Sequence, residues 1–377
     1  MQLTKYKLGD LIAQRREKNK DYDLPIRGVS REGFIKPKVE EADTSIYNVF
    51  YKNDFVFNPA RMELNSIALN LVFDKALCSS LYEVFYVKDE NVVLPEFLNL
   101  HIKREEFARH CDYIGLGSAR EYCRFANIAE FDIKIPPIEF QREIVQADRQ
   151  IKRRIRLNEQ MIEKLEATAQ TLYRKMFVDG IDKENLPEGW RMGTIGEFGV
   201  VITGKTPSSD NPEDFGNDMP FVTPGDFGKY HKFAIGAERG LSEIGVKRLK
   251  GKVLPKGSVI VTCIGSDMGK VSIASEECIT NQQMNSIIVN RREYSDYLFY
   301  VLSFISKELR AMALGSSTMP LLNKSDFERI GVIFPPNDLL VKFSQLLNTC
   351  NETTILKQKE NIKLTELQSL LLAKMGQ

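Results

Sequence analysis

The segment Gly199-Val200-Val201-Ile202-Thr203-Gly204-Lys205-Thr206 fits the spacing G-x-x-x-x-G-K-[ST], in which a glycine-rich loop wraps phosphates and a lysine reaches them. That chemistry needs a strand before the loop and a helix after it, so that the helix N-terminus faces the phosphates. Here the variable positions are β-branched and read as a strand, and Pro207 disfavours helical geometry at Thr206. Ser208-Ser209-Asp210-Asn211-Pro212 is turn chemistry. The match is set aside as a nucleotide site. Methyl transfer to a base amine would need an Asp/Asn-Pro-Pro-aromatic pocket, but Pro136-Pro137 precedes Ile138 and Pro335-Pro336 precedes Asn337. No Pro-Asp pair opens a metal-nuclease carboxylate cluster. The six cysteines contain no C-x-x-C pair and only three histidines accompany them, which excludes a zinc knuckle or a disulfide frame. Neither catalytic nor metal-ligating residues are assigned.

Residues able to contact nucleic acid fall in loops. Gly115-Leu116-Gly117-Ser118-Ala119-Arg120, followed by Arg124, offers a glycine-rich loop that can approach a backbone closely, with arginines able to bind guanine edges or phosphates. In the second half, Gly315-Ser316-Ser317-Thr318 and Lys324 occupy the matching place, and Lys229-Tyr230-His231-Lys232 and Lys247-Arg248-Leu249-Lys250 add basic, partly aromatic stretches. The residues expected to contact DNA, if the chain binds it, are Arg61, Ser118, Arg120, Arg124, Lys229, Tyr230, Lys232, Ser316, Ser317, Thr318 and Lys324. Each cluster also fits an ordinary exposed loop. With a net charge of +1, any DNA contact is patchy rather than a uniform basic coat.

The elements that must hold these loops repeat. Residues 136–176 and 335–375 run in the same order at a constant offset of 199, each a proline pair followed by a long helix. Proline tolerates the first turn of a helix and not its interior, so both pairs mark helix starts. In the first helix Ile151, Ile155, Asn158, Ile162, Leu165 and Leu172 follow a heptad seam. In the second, Leu364 and Leu371 lie near the seam while Lys357, Asn361 and Gln368 interrupt it; antiparallel pairing can use a wider face that includes Leu346, Leu356, Ile362 and Leu367. Ahead of each helix lies a mixed segment. The first has strands near residues 47–51 and 55–57 and a helix over 95–110; the second has strands over 258–263 and 286–289 and a helix over 295–312. Leu8-Gly9-Asp10-Leu11 answers Ile195-Gly196-Glu197-Phe198, so the halves read as diverged copies of one fold.

Leu186-Pro187-Glu188-Gly189-Trp190, Asn281-Gln282-Gln283-Met284-Asn285 and both Pro-Pro-helix junctions resemble the specificity (S) subunit of Type I restriction-modification systems over almost the whole chain. The resemblance implies an α/β (α+β) chain with a pseudo-two-fold internal repeat. Its two similar globular target-recognition domains are separated and joined by two long helices that form an antiparallel coiled coil. The segments would be 1–137 (first recognition domain), 138–178 (central helix), 179–336 (linker and second recognition domain) and 337–377 (distal helix). It implies a non-catalytic, sequence-specific DNA-binding subunit that reads a bipartite double-stranded site and docks two methyltransferase subunits, with restriction/translocase subunits as further partners. S-adenosylmethionine, ATP and Mg would be bound by those partners, and no cofactor by this chain. The first half lacks the Trp-containing opening and the Asn-Gln-Gln stretch, with Ser79-Ser80-Leu81-Tyr82 at the latter place. The alternative from another class is a coiled-coil assembly scaffold without DNA readout. No run of about 18 apolar residues occurs, and the expectation is a soluble cytoplasmic protein.

Overall fold

The computed structural model describes residues 3–20, 23–37, 43–115, 122–264, 268–306 and 322–375. The chain forms two compact units, residues 1–154 with 363–377 and residues 155–362. Among the described residues no helix is long and apolar enough to cross a membrane.

In the first unit the strand Thr4–Lys7 pairs antiparallel with Asp132–Ile135, Thr4 opposite Ile135 and Lys7 opposite Asp132. Between them lies a four-stranded antiparallel sheet in the order Ile12–Arg15, Glu83–Val87, Phe55–Phe57, Ile67–Leu69. Aromatic and β-branched residues suit a pleated, half-buried surface. Phe55, Phe57 and Phe85 are fully buried, and Phe55 stacks on Phe85 with ring centroids 4.7 Å apart. The helix expected over 95–110 is two helices, Pro95–Ile102 and Glu105–Gly115. The break comes at Lys103, whose N–H turns to the Asn99 and His101 carbonyls and closes the first helix.

The second unit repeats the closure. Arg191–Thr194 pairs antiparallel with Gly331–Phe334 and encloses a five-stranded sheet in the order Gly199–Thr203, Met284–Val289, Val259–Thr262, Val271–Ala274, Phe233–Ala234, of which only the last pairing is parallel. The helix read over 295–312 is Tyr294–Phe304, and residues 307–312 lie outside the described ones. The likeness of the halves extends to single hydrogen bonds. Leu8 N–H donates to the Phe131 carbonyl at 2.8 Å and Ile195 N–H to that of Ile330 at 3.1 Å. Lys7 N–H donates to Asp10 and Thr194 N–H to Glu197. A side chain at Gly9 would meet Ala129 at 3.0 Å and one at Gly196 would meet Glu328 at 3.4 Å, so in each half a glycine lets the same two segments approach.

The long helices are Ile138–Phe177 and Asn337–Lys374. Each starts directly after its proline pair, with the Pro137 and Pro336 carbonyls accepting the first N–H bonds. Within each unit they run antiparallel. In the first, Val145 shares a core with Met375, and Gln368 donates to Asp148 at 2.6 Å. In the second, Tyr173 and Phe177 pack with Leu340, Phe343 and Leu347. Ile151, Asn158 and Ile162 are buried, while Ile155, Leu165, Leu172, Leu364 and Leu371 are half-buried.

The wider face expected of the second helix does not form. Leu346, Leu356, Ile362 and Leu367 are between 42% and 66% exposed. The buried positions are Leu340, Phe343, Leu347, Thr354, Gln358 and Asn361, whose spacings of three, four and seven keep one stripe inward. That stripe turns polar midway, which is why it reads poorly as a seam.

Candidate nucleic-acid interface

A groove of about 520 Å³ opens in the first unit between the hairpin strands Gly28–Ser30 and Gly33–Ile35, the turn at 58–61, and the segment 122–124. The Asn58 side chain accepts from Ala60 N–H and starts the short helical stretch Pro59–Leu64, inside which Arg61 departs from helical geometry (φ −140). Arg61 is exposed, and its guanidinium makes no ion pair among the described residues. Cys123 N–H donates to the Pro59 carbonyl at 3.1 Å and so draws Arg124 to the same wall. Arg124 lies over the Tyr122 ring, 5.6 Å from its centroid, with its guanidinium 3.3 Å from Glu83. Glu83 is fixed from behind: its other oxygen accepts from Phe125 N–H at 2.7 Å and from Gln14 at 3.2 Å.

Among the described residues, the charged lining comprises Arg27, Lys36, Arg61 and Arg124 against the carboxylate of Glu83. In a chain of net charge +1, that is a local basic surface. The Arg124–Glu83 pair is open on the arginine side, 62% exposed. Such a pair is worth about 0–1 kcal/mol, so a phosphate or a guanine edge can take the arginine over at little cost. Tyr47, Tyr82 and Tyr122 add flat polar rings to the wall. Ser118 and Arg120, read from sequence as part of this site, lie outside the described residues.

In the second unit Lys229 is exposed, its ammonium 3.4 Å from Glu238. Tyr230 is half-buried, its hydroxyl donating to the Gly236 carbonyl, and burial pushes that hydroxyl's pKa up. Lys232 corrects the sequence reading. It is a core residue, its side chain 3% exposed, with the ammonium 2.6 Å from Asp296 and 2.9 Å from Asn351 and facing the rings of Tyr300, Phe299 and Phe233. Burial lowers its pKa against the opposing pull of Asp296. A lysine committed in this way cannot reach a DNA phosphate; the basic run alternates between surface and core because Phe233 starts a strand. Lys324 stays on the surface, at the first turn of Lys324–Glu328, with Glu328 3.6 Å away. Ser316, Ser317 and Thr318 lie outside the described residues.

Each half thus has its own closed unit leading into a long helix. Both halves match one family model, the Type I restriction modification DNA specificity domain, over residues 3–167 and 187–366. The chain belongs to this family. It is 26% identical over 356 residues to the specificity subunit of the Type I restriction enzyme HindI of Haemophilus influenzae, covering 76% of this chain and 77% of that protein. It is 30% identical over 183 residues to the MjaIX specificity subunit of Methanocaldococcus jannaschii, covering 48% and 42%. The crystal structure of a Type I restriction-modification S subunit from M. genitalium superposes with a TM-score of 0.64 at 15% identity, over 100% of this chain and 96% of that one.

For a specificity-domain chain, the groove residues that sequence reading missed are Arg27, Lys36, Tyr47, Tyr82 and Tyr122. They are scattered along the sequence and meet only through the hairpin and the Cys123 hydrogen bond. The nearest signal in the sequence is Ser79-Ser80-Leu81-Tyr82, which stands where the second half has Asn-Gln-Gln and lines the groove. The G-x-x-x-x-G-K-[ST] segment is a strand, Gly199–Thr203, running into an irregular loop with no helix behind it until the three-residue turn Pro212–Asp214.

Proposed function

We propose that this chain is the sequence-specific DNA-binding specificity subunit of a Type I restriction-modification complex. Each unit reads one half of a split duplex site, and the long helices dock methyltransferase subunits. The observation that carries the reading is the basic, tyrosine-lined groove of the first unit. There Arg61 is unpaired among the described residues and Arg124 is held by an open, weak pair. Arginine is the side chain best suited to both phosphate oxygens and the guanine edge.

In this reading the chain is not an enzyme and works in the cytoplasm. The methyltransferase partners bring S-adenosylmethionine and flip the target base, and restriction/translocase partners bring ATP and Mg. The outward leucines of the second helix, Leu346 and Leu356 among them, are apolar surface that such partners would cover. Single-molecule methylome sequencing of cells with and without the gene tests the proposal. Loss of one bipartite methylated motif supports it; an unchanged methylome, with the complex assembled, leaves a scaffold that reads no DNA. The purified chain, verified free of partners, is expected to show no methylation or cleavage.

A further inference from the structure

The phosphate-loop-like segment begins as the strand Gly199–Thr203. Register places Thr203 opposite Asn285, so the end of Gly199–Thr203 and the start of Met284–Val289 coincide at one end of the five-stranded sheet. The loop at 204–206 nests there against the turn at 280–283. A Cβ at Gly204 would lie 2.2 Å from the Asn281 carbonyl oxygen and 2.3 Å from that of Thr280, so only glycine allows the approach. Gly204 N–H donates to the Met284 carbonyl at 3.1 Å and Lys205 N–H to that of Thr280 at 2.9 Å. The turn is braced from within: Asn281 is buried, accepts from Gln283 N–H at 3.0 Å, and donates to the Gln283 side chain at 3.1 Å.

On this rigid base one side chain is presented outward. Gln282 is exposed, and the Thr206 hydroxyl donates to its Oε1 at 2.5 Å. That bond fixes which way the amide faces. Nε2 carries two donors and makes no hydrogen bond among the described residues, and Oε1 keeps a second lone pair. A side-chain amide held in this way matches the N7 acceptor and N6 donor of adenine in the major groove. Cations flank it. Lys205 is exposed and unpaired among the described residues, and Lys252 anchors on the Thr203 carbonyl at 3.0 Å.

We infer that Gln282 is a base-edge contact of the second unit, suited to an adenine, with Thr206 as its positioning residue and Lys205 as a neighbouring phosphate contact. The inference rests on the DNA-reading function proposed above and assigns the second half-site to a place that the basic stretches did not indicate. The role of the G-K-T residues becomes clear: glycine for close nesting, lysine for backbone charge, threonine to orient an amide.

The test expresses this chain with its methyltransferase partners in a host lacking the system and maps methylated motifs, so the target need not be known beforehand. Gln282→Ala is expected to relax one base pair of one half-site, with a tenfold or greater loss of discrimination there and no change in the other half. Gln282→Glu, which replaces the donor by an acceptor, is expected to move that preference toward cytosine, whose N4 amine donates. Thr206→Val should blur the same position and Thr206→Ser restore it, which a merely structural role for Thr206 would not reproduce. Lys205→Ala should weaken binding alike on all sequences and lower the salt slope by about one. Thermal melting of each complex checks folding. An unchanged motif with both Gln282 variants overturns the inference while leaving the proposed function standing, as does uniform loss across sequences. A wild-type complex that yields no bipartite motif overturns both.

Discussion

The side-chain amide of Asn158 donates to the side-chain oxygen of Asn361 at 2.8 Å, joining the two long helices through a pair of buried polar residues. Asn361 in turn donates to Glu159 at 2.5 Å. Asn158→Leu leaves a buried acceptor without this donor and is expected to cost about 1–3 kcal/mol. The double change Asn158→Leu with Asn361→Leu should cost less than the sum of the singles but hold helix register less strictly. Trp190, the only tryptophan, lies 6.1 Å from Phe177, and its fluorescence during urea unfolding reports on this unit. Additive costs would mean the bond contributes nothing of its own.

His231 lies between two carboxylates of the first long helix, 2.8 Å from Glu159 and 3.7 Å from Glu166. The Glu166 carboxylate is the largest cause raising its pKa above 6.5; burial opposes it, and the charges of both glutamates and the hydrogen bond with Glu159 add to the rise. The protonated ring is therefore favoured by folding. Its stabilisation is complete below 6.5 and is lost as pH climbs through the raised value. The stability difference between the parent and His231→Gln should be largest on the acid side and shrink with rising pH. A pH-independent difference would mean that the ring acts by packing alone.

Lys232→Met strands Asp296 in the core and should destabilise the second unit by about 3–5 kcal/mol. Adding Asp296→Leu should recover most of that, because a buried pair replaced by apolar groups is often neutral. Trp190 fluorescence during unfolding is again the measurement. A double variant as unstable as the single would assign the cost to Asn351 and Ser344, which also bond Asp296.

Arg124→Ala should weaken binding at the first half-site by about 1–3 kcal/mol and leave preference at the second unchanged. Competition binding on duplexes altered one base pair at a time measures this. Equal loss on every sequence would make Arg124 a phosphate contact.

The repeat was legible because proline pairs and small turn residues act locally. The offset of 199 that aligns Pro136 with Pro335 also aligns Phe131 with Ile330 and Ala129 with Glu328, and each pair plays the same part in its half. What could not be read depended on which way a side chain faces. Lys232 looks like any basic-stretch lysine until the strand at Phe233 turns it inward. The leucines at 346, 356 and 367 look like part of a wider packing face until Thr354, Gln358 and Asn361 take the inward stripe. The groove needed residues 27 to 124 to meet, and Gln282 needed a threonine 76 positions away; no window of sequence holds either.

The outward face of the second long helix has a colloidal consequence. Leu346, Leu356, Leu367 and Leu370 are each more than half exposed, and apolar stripes of this kind favour self-association when nothing covers them. Produced without partners, the chain should form concentration-dependent aggregates while its units remain folded, and light scattering should fall when these four leucines are changed to glutamate.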